Sequence, residues 1–376
     1  MILDFLSQKT REPAACIIEI DNQEISELYG FLTEVVVETS RAQATCVTLT
    51  FETRRLETGT WVIQDDERFY PWAKLKVLAA FGHDSEEIMR GYVKEIHAEY
   101  PGEAGNTKVT ITGQDDSIGL DREHQRKSWG EEAPTTDQAI MSTILRNYGL
   151  KLHTDSQAGM SHLTLNQNST DICFLKMRAQ ANGYELIFRD GEVYFGPMRV
   201  TAKAQDNIMV YAGPDTNCLS FSLQDDGHRP DNVAFDIAVT TGAGTSTQVI
   251  QPNLPPMGLR AADSRVTGLR DFTWRMNRQG VNDLAEMTAR AQQRANEQSM
   301  KIRANGELDG SLYGHVLRVA EPVGVDGIGD RYGGIYYVDT VTHRFNLNGY
   351  QQTFTLMRNA YGDNLKTANA ALAGLI

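Results

Sequence analysis

Three pairs of adjacent aspartates, Asp65 with Asp66, Asp115 with Asp116 and Asp225 with Asp226, are the residues most easily imagined doing chemistry. Two carboxylates flanking one bond can act as acid and base, or acid and nucleophile, in glycoside hydrolysis. That chemistry needs the two groups on opposite sides of a substrate, and nothing in the spacing brings two pairs together. Each pair instead stands where a strand-like stretch ends, the context of a solvated turn. The chain contains no His-Glu-x-x-His, no Gly-x-Ser-x-Gly and no Gly-x-x-x-x-Gly-Lys-Ser/Thr. His343, inside a strand-like run, reads as a structural or surface residue.

Residues 324–334 have the outline of a phosphate or calcium loop. They lack the following helix and Lys of the first and the oxygen-ligand spacing of the second, so a flexible loop touching a neighbouring subunit is expected. Cys16, Cys46, Cys173 and Cys218 are far apart and lie in largely apolar contexts, which reads as buried free thiols. Trp61, Trp72, Trp129 and Trp274 could serve as sugar platforms, but tryptophans this scattered read as core or interface residues. No catalytic, cofactor-binding or metal site is expected, and the chain reads as a non-enzyme.

A net charge of -13 weighs against a specific nucleic-acid binder, since phosphate affinity is carried by Lys and Arg. With 41% hydrophobic residues and a mean hydropathy of -0.39, the chain can build real cores without an apolar run of membrane-spanning length. The first residues have no basic flank and an acid at Asp4, unlike a signal peptide, so cytoplasmic synthesis is the default. A length of 376 residues argues for two or three units.

Positioning elements follow from hydrophobic period. From 15 to 113 the text is β-rich; Val47, Leu49 and Phe51 share one face of a strand against Thr48 and Thr50. Six or seven such strands predict a small closed barrel or sandwich. Thr136 and Asp137 open a helix carrying Ile140, Ile144 and Leu145, and a second helix from Asp171 stops at Gly183. Asp190 and Gly191 mark a hairpin turn. Strands resume at 208–240, and a polar helix over 281–301 carries a weak stripe of Leu284, Ala285, Thr288, Ala291 and Ala295 that should pack lightly on the outside. A strand is predicted at 314–319, then a hairpin over 333–361 whose turn is Asn348 with Gly349 and whose apolar face holds Ile335, Tyr337, Val341, His343 and Phe345.

The expected class is α+β, mainly β, with two β units. Boundaries are placed at 1–118 for the first β-barrel unit, 119–206 for an α/β insertion, 207–240 with 310–362 for a discontinuous second barrel, 241–309 for a helical insertion and 363–376 for a helical tail. Leu365, Ala368, Leu372, Leu375 and Ile376 form one apolar stripe on that tail, which packs on its own domain, docks on a partner chain or frays.

Residues 91–96, 110–121, 136–140 with 148–150, 171–183, 334–343 and 353–360, in this order and spacing, resemble the phage late-control D, or tail hub, family, which also supplies the hub portion of type VI secretion spike proteins. The resemblance implies two similar tube-like β-barrel domains per chain and a homotrimer whose ring has pseudo-sixfold symmetry. Such a ring joins a hexameric tail tube protein to a trimeric spike protein, initiates the tube, and sits in the baseplate of a contractile phage tail or phage-like injection particle assembled in the bacterial host cytoplasm. Other baseplate proteins and a tape-measure protein are further partners; a membrane is not. The secretion-system members continue into an oligosaccharide-binding-like domain and a spike, whereas this sequence stops at Ile376, so a separate spike chain and no lysozyme activity are expected. The tail stripe is then the candidate spike dock. The alternatives are a cell-wall glycan hydrolase at the tail tip and a carbohydrate-binding module for host attachment.

Overall fold

The computed structural model describes residues 13–100, 107–238, 245–262, 269–277 and 283–365. Through residue 115 the chain makes seven strands: β1 (Ala14–Ile20), β2 (Gln23–Glu24), β3 (Leu32–Ser40), β4 (Cys46–Thr53), β5 (Lys74–Phe81), β6 (Asp84–Glu99) and β7 (Thr107–Asp115). Alternation decides which side chains go inside: Val35 and Val37, Val47, Leu49 and Phe51, and Val109 and Ile111 are all buried in one core. Asp21 and Asn22, with φ of 49° and 65°, form the two-residue turn from β1 to β2, residue types that tolerate the left-handed region.

The next stretch holds β8 (His124–Trp129), α1 (Asp137–Arg146), β9 (Lys151–Leu152), β10 (Leu165–Thr170), α2 (Asp171–Asn182), β11 (Glu185–Arg189) and β12 (Glu192–Gly196). Thr136 caps α1 by accepting a hydrogen bond from the Ala139 N–H at 3.2 Å, and left-handed Gly183 ends α2. The expected hairpin turn is present, with Asp190 and Gly191 at φ of 53° and 75°. Ile140, Leu145, Phe174, Leu175 and Phe195 fill a core of their own.

Beyond it lie β13 (Gln205–Met209), β14 (Cys218–Asp225), β15 (Asn232–Ala238), β16 (Thr245–Ile250), β17 (Arg260–Ala261), β18 (Thr273–Arg275), α3 (Leu284–Ser299), β19 (Ile302–Asp309), α4 (Gly310–Tyr313), β20 (Pro322–Asp326), β21 (Gly334–Asn346), β22 (Gly349–Arg358) and β23 (Ala360–Tyr361). Several sequence expectations change here. Residues 302–309, placed in a helical insertion, form a strand of the main sheet, whereas β15 leaves that sheet to pair with β16 and β18. Residues 314–319 are not a strand: side chains of Glu86, Gln352 and Gln205 take the N–H groups of Val316, Leu317 and Arg318 in place of a ladder. α3 buries Met287, Ala291 and Ala295 against Val233 and Phe235, while Leu284 is exposed. Its small residues therefore serve close packing on a sheet rather than a loose fit outside. No helix among the described residues is long and apolar enough to cross a membrane.

The fold is mainly β, with helices α1, α2 and α3 in insertions, and among the described residues its two tube-like β units share a single thirteen-stranded sheet. The strand order runs β14-β19-β22-β21 into β3-β4-β7-β6-β5-β1-β2, with β20 joining β21 and β13 joining β20. The junction is β21, the first strand of the late hairpin. Its beginning pairs with β20, from Gly334↔Val325 to Tyr337↔Pro322, and its end pairs with β3, from Thr340↔Ser40 to Phe345↔Val35.

The two units repeat one another. Chain order and sheet order match for β3, β4, β5, β6 and β7 against β14, β19, β20, β21 and β22. Register irregularities fall at matching places: Val93/Glu95 in β6 and Val338/Thr340 in β21, Leu32/Glu34 in β3 and Cys218/Ser220 in β14. Trp72 and Ala320, both at positive φ of 78° and 59°, donate their N–H groups to the carbonyls of Val93 and Val338 respectively. The outermost strands differ, since β1 is antiparallel to β5 while β13 is parallel to β20.

The bulge in β21 also changes which residues face inward. Tyr336 and Val338 lie in the core of the second unit before it, and Val341, His343 and Phe345 are buried after it. Tyr337 instead joins a separate cluster with Ile187, Tyr194, Val200 and Met300. The turn is centred on Leu347 and Asn348, one residue earlier than expected, with Gly349 closing it at a φ of 103°.

Candidate functional site

The aspartate pairs are used by the fold. Asp65 accepts the Trp61 N–H at 2.6 Å, and Asp66 takes a two-pronged contact from the Arg68 guanidinium at 2.9 and 2.6 Å. Asp225 ends β14 and accepts the hydroxyls of Tyr332 and Tyr361 at 3.2 and 3.0 Å. Asp115 is not a solvated turn residue but a buried cap at the end of β7, accepting the N–H groups of Thr45 at 2.6 Å and Ser117 at 3.1 Å. Burial pushes its carboxyl up, opposed by those hydrogen bonds. Burial likewise raises Asp116 to about 6, with the nearby Arg90 guanidinium pulling the other way.

The Gly-rich stretch is partly a strand, since Pro322, Val323, Gly324 and Val325 are buried in β20. The loop after it is held from inside by Arg358, whose Nη1 donates to the carbonyls of Tyr332 and Gly333, both at 2.7 Å. Its Nη2 donates to those of Met257 at 3.2 Å and Gly362 at 2.6 Å. Carbonyls that would have faced a cation thus face a guanidinium of this chain. Among the described residues no group of three His, Cys, Asp or Glu could hold a metal. Gly334, at a φ of 123°, lies so close to Arg358 that a Cβ would approach Nη2 to 2.5 Å, which is why this position needs glycine.

The tryptophans do not offer open platforms. Trp129 stacks on Phe174 and donates from Nε1 to Gln167 at 3.1 Å; the Arg122 guanidinium covers Trp72 at 4.2 Å, and that of Arg294 lies 5.1 Å from Trp274. Trp61 packs edge-on to Tyr100. All four cysteines are free, but Cys46 and Cys173 are exposed rather than buried.

Of the tail stripe, Leu365 sits against Gly324 of β20, and its N–H donates to Asp363 at 2.9 Å. Ala368, Leu372, Leu375 and Ile376 lie outside the described residues.

What the sequence reading missed is a charged cluster where the first unit, the α/β insertion and the second unit meet. Arg41, between β3 and β4, pairs with Glu185 of β11 and, through Nε, with Asp339 at 2.9 Å. The Tyr337 hydroxyl donates to Glu185 at 2.8 Å, and Arg303 reaches Asp339 at 3.1 Å. Asp339 is the bulged residue of β21, so the extra residue aims its carboxylate at Arg41. The signal is Asp339 itself, an acid at the position where the alternation of Ile335, Tyr337, Val341, His343 and Phe345 would place an apolar residue. Beside it His343 is fully buried, its Nδ1 2.8 Å from the Tyr350 hydroxyl; burial, reinforced by Arg318, lowers its pKa to about 3.

The family pattern described as the Alg8 N-terminal domain matches residues 11–346. No curated protein sequence matches. Among solved structures, the fold is similar to the 43 kDa tail protein of prophage MuSo2 from Shewanella oneidensis, with a TM-score of 0.67 at 13% identity over 92% of this chain and 98% of that one. A tail protein from Neisseria meningitidis MC58 follows at 0.63 and 12%, covering 92% and 97%. The E. coli c3393 protein, a type VI secretion system component with structural similarity to the T4 bacteriophage tail proteins gp27 and gp5, gives 0.54 and 10%, covering 93% and 78%.

Proposed function

This chain belongs to the Alg8 N-terminal domain family, and we propose that it is the baseplate hub of a contractile phage tail or phage-like injection particle. The observation that carries the reading is the internal repeat. Two β units of the same strand order and the same bulges in one chain let three chains present six similar surfaces. A homotrimer built this way meets a sixfold tube protein on one side and a threefold spike protein on the other, and a ring leaves no lateral surface unpaired. Likeness to phage tail proteins along nearly the whole chain supports the same reading, as does a set of carboxylates engaged in structural hydrogen bonds rather than gathered round a cleft.

In this role the chain starts the tube and holds the spike, working through surfaces rather than a pocket, and resides in the particle's baseplate after assembly in the bacterial host cytoplasm. Other baseplate proteins and the tape-measure protein are its further neighbours. The stripe of Leu365, Ala368, Leu372, Leu375 and Ile376 remains the proposed spike dock. Deleting residues 364–376 should leave three chains per particle in analytical ultracentrifugation and lower retention of the spike protein; full retention would remove the tail from the dock. A monomer at every concentration, unable to join tube or spike protein, would overturn the hub reading itself.

A further inference from the structure

Two strand edges that are paired at the junction inside the chain have counterparts left open among the described residues of the same chain. At the junction, the end of β21 lies along β3, and the inward residues of both strands, Val35, Val37, Val341, His343 and Phe345, are buried. The repeat maps β3 onto β14 and β21 onto β6 through their shared bulges. β14 pairs with β19 on one side, and among the described residues nothing pairs with its other side. β6 pairs with β5 only as far as Tyr92, with β7 along its other side, so the edge from Lys94 to Glu99 also has no strand beside it among the described residues.

The side chains report the same vacancy. Phe221 and Leu223, which stand where Val35 and Val37 stand, are only partly buried against the core of the second unit. Ile96 and Ala98, the counterparts of Val341 and His343, are only partly buried against the first, and Tyr100, the counterpart of Phe345, is 58% exposed. Two open, half-covered edges on one chain are complementary to each other and not to themselves.

We propose that β14 of one copy pairs antiparallel with the end of β6 of a second copy, repeating between chains the β3–β21 junction found within each. The occupant is a second copy because the chain itself carries both halves of a pairing it already makes once. Transferring the junction register sets Ala98 opposite Leu223, Tyr100 opposite Phe221 and His97 opposite Gln224, matching His343↔Val37, Phe345↔Val35 and Thr342↔Glu38. Because the two edges differ, the contact is head-to-tail, which closes into a ring rather than stopping at a dimer when the rotation per chain allows. Main-chain hydrogen bonds supply the pairing and the alternate side chains its register. This inference rests on the reading of the chain as a ring-forming hub and names the strands that close the ring.

Cysteine cross-linking tests it in a chain carrying Cys46→Ser, Cys173→Ser and Cys218→Ala. Mild oxidation of a mixture of Ala98→Cys chains with Leu223→Cys chains should give covalent dimers, and the double variant should give a ladder ending at the full ring. Ala98→Cys with Ser222→Cys is the control, since a one-residue slip puts the two thiols on opposite faces. Tyr100→Lys, at a position 58% exposed whose ring otherwise meets Trp61, should weaken self-association by roughly tenfold or more while the melting temperature stays near that of the parent. A trimer by mass with no cross-link above the control, and with Tyr100→Lys neutral, overturns the strand pairing and leaves the hub reading standing. A chain that stays monomeric and never cross-links overturns both.

Discussion

Buried titratable side chains set how this protein should respond to pH. His343 is held neutral, with its pKa lowered to about 3, so between its ordinary value of 6.5 and that point the unfolded chain gains a proton that the folded chain refuses. Stability from this group is full above pH 6.5 and is lost as pH falls, by up to about 1.4 kcal/mol per pH unit. Urea unfolding at stepped pH should show that slope in the parent chain and a flatter one in His343→Gln, which can keep a hydrogen bond to Tyr350; equal slopes would remove His343 as the cause. Asp116 works in the opposite sense. Its carboxyl, raised to about 6, costs stability once ionised, so its contribution is best below its ordinary range and is lost as pH rises through 6. Asp116→Asn should therefore stabilise the chain by about 1–3 kcal/mol at pH 7.5 and by almost nothing at pH 4, as read from melting temperatures. Arg41 is the third case. Removing it as Arg41→Met leaves Glu185 and Asp339 buried or half-buried without their guanidinium, and should cost about 3–5 kcal/mol in chemical denaturation. A cost below about 1 kcal/mol would reduce this cluster to a solvent-screened surface pair.

At the scale of elements, bulges and glycines decide how the pieces meet. The bulge at Asp339 changes the inward face of β21 and lets one strand serve β20 at its start and β3 at its end. Gly183 ends α2 where α3 passes, and a Cβ there would lie 2.5 Å from the Ala289 carbonyl oxygen. Gly183→Ala combines that clash with a φ of 66°, so it should destabilise the chain by well over about 1 kcal/mol. A thermal scan in which Gly183→Ala matches the parent would mean that α2 and α3 are not fixed against each other at this point. The helices themselves were readable, because Thr136 and Gly183 are local signals whose physics is complete within a turn. The strand at 302–309 was not, since Arg303, Asn305 and Glu307 alternate with residues as small as Ala304 and Gly306, which leaves no strong apolar period until β14 and β22 flank it.

For the whole molecule, amino-acid order alone determined what is local: a mainly β chain, two capped helices, the Asp190 and Gly191 hairpin, and the absence of any familiar catalytic spacing. Period and turn chemistry depend only on near neighbours, so one sequence suffices to read them. The fold's likeness to phage tail proteins was also legible, because it is carried by the order and spacing of short phrases rather than by any one of them. Only the tertiary structure decided that 232–238 leaves the main sheet, that Asp115 is buried, and that Arg41, Glu185 and Asp339 meet although they are far apart in the chain. It also decided that the late hairpin, placed by the sequence in the second unit, joins that unit to the first through β3. Strand partners are chosen by contacts between distant segments, and a single bulged residue redirects a whole strand without altering its composition.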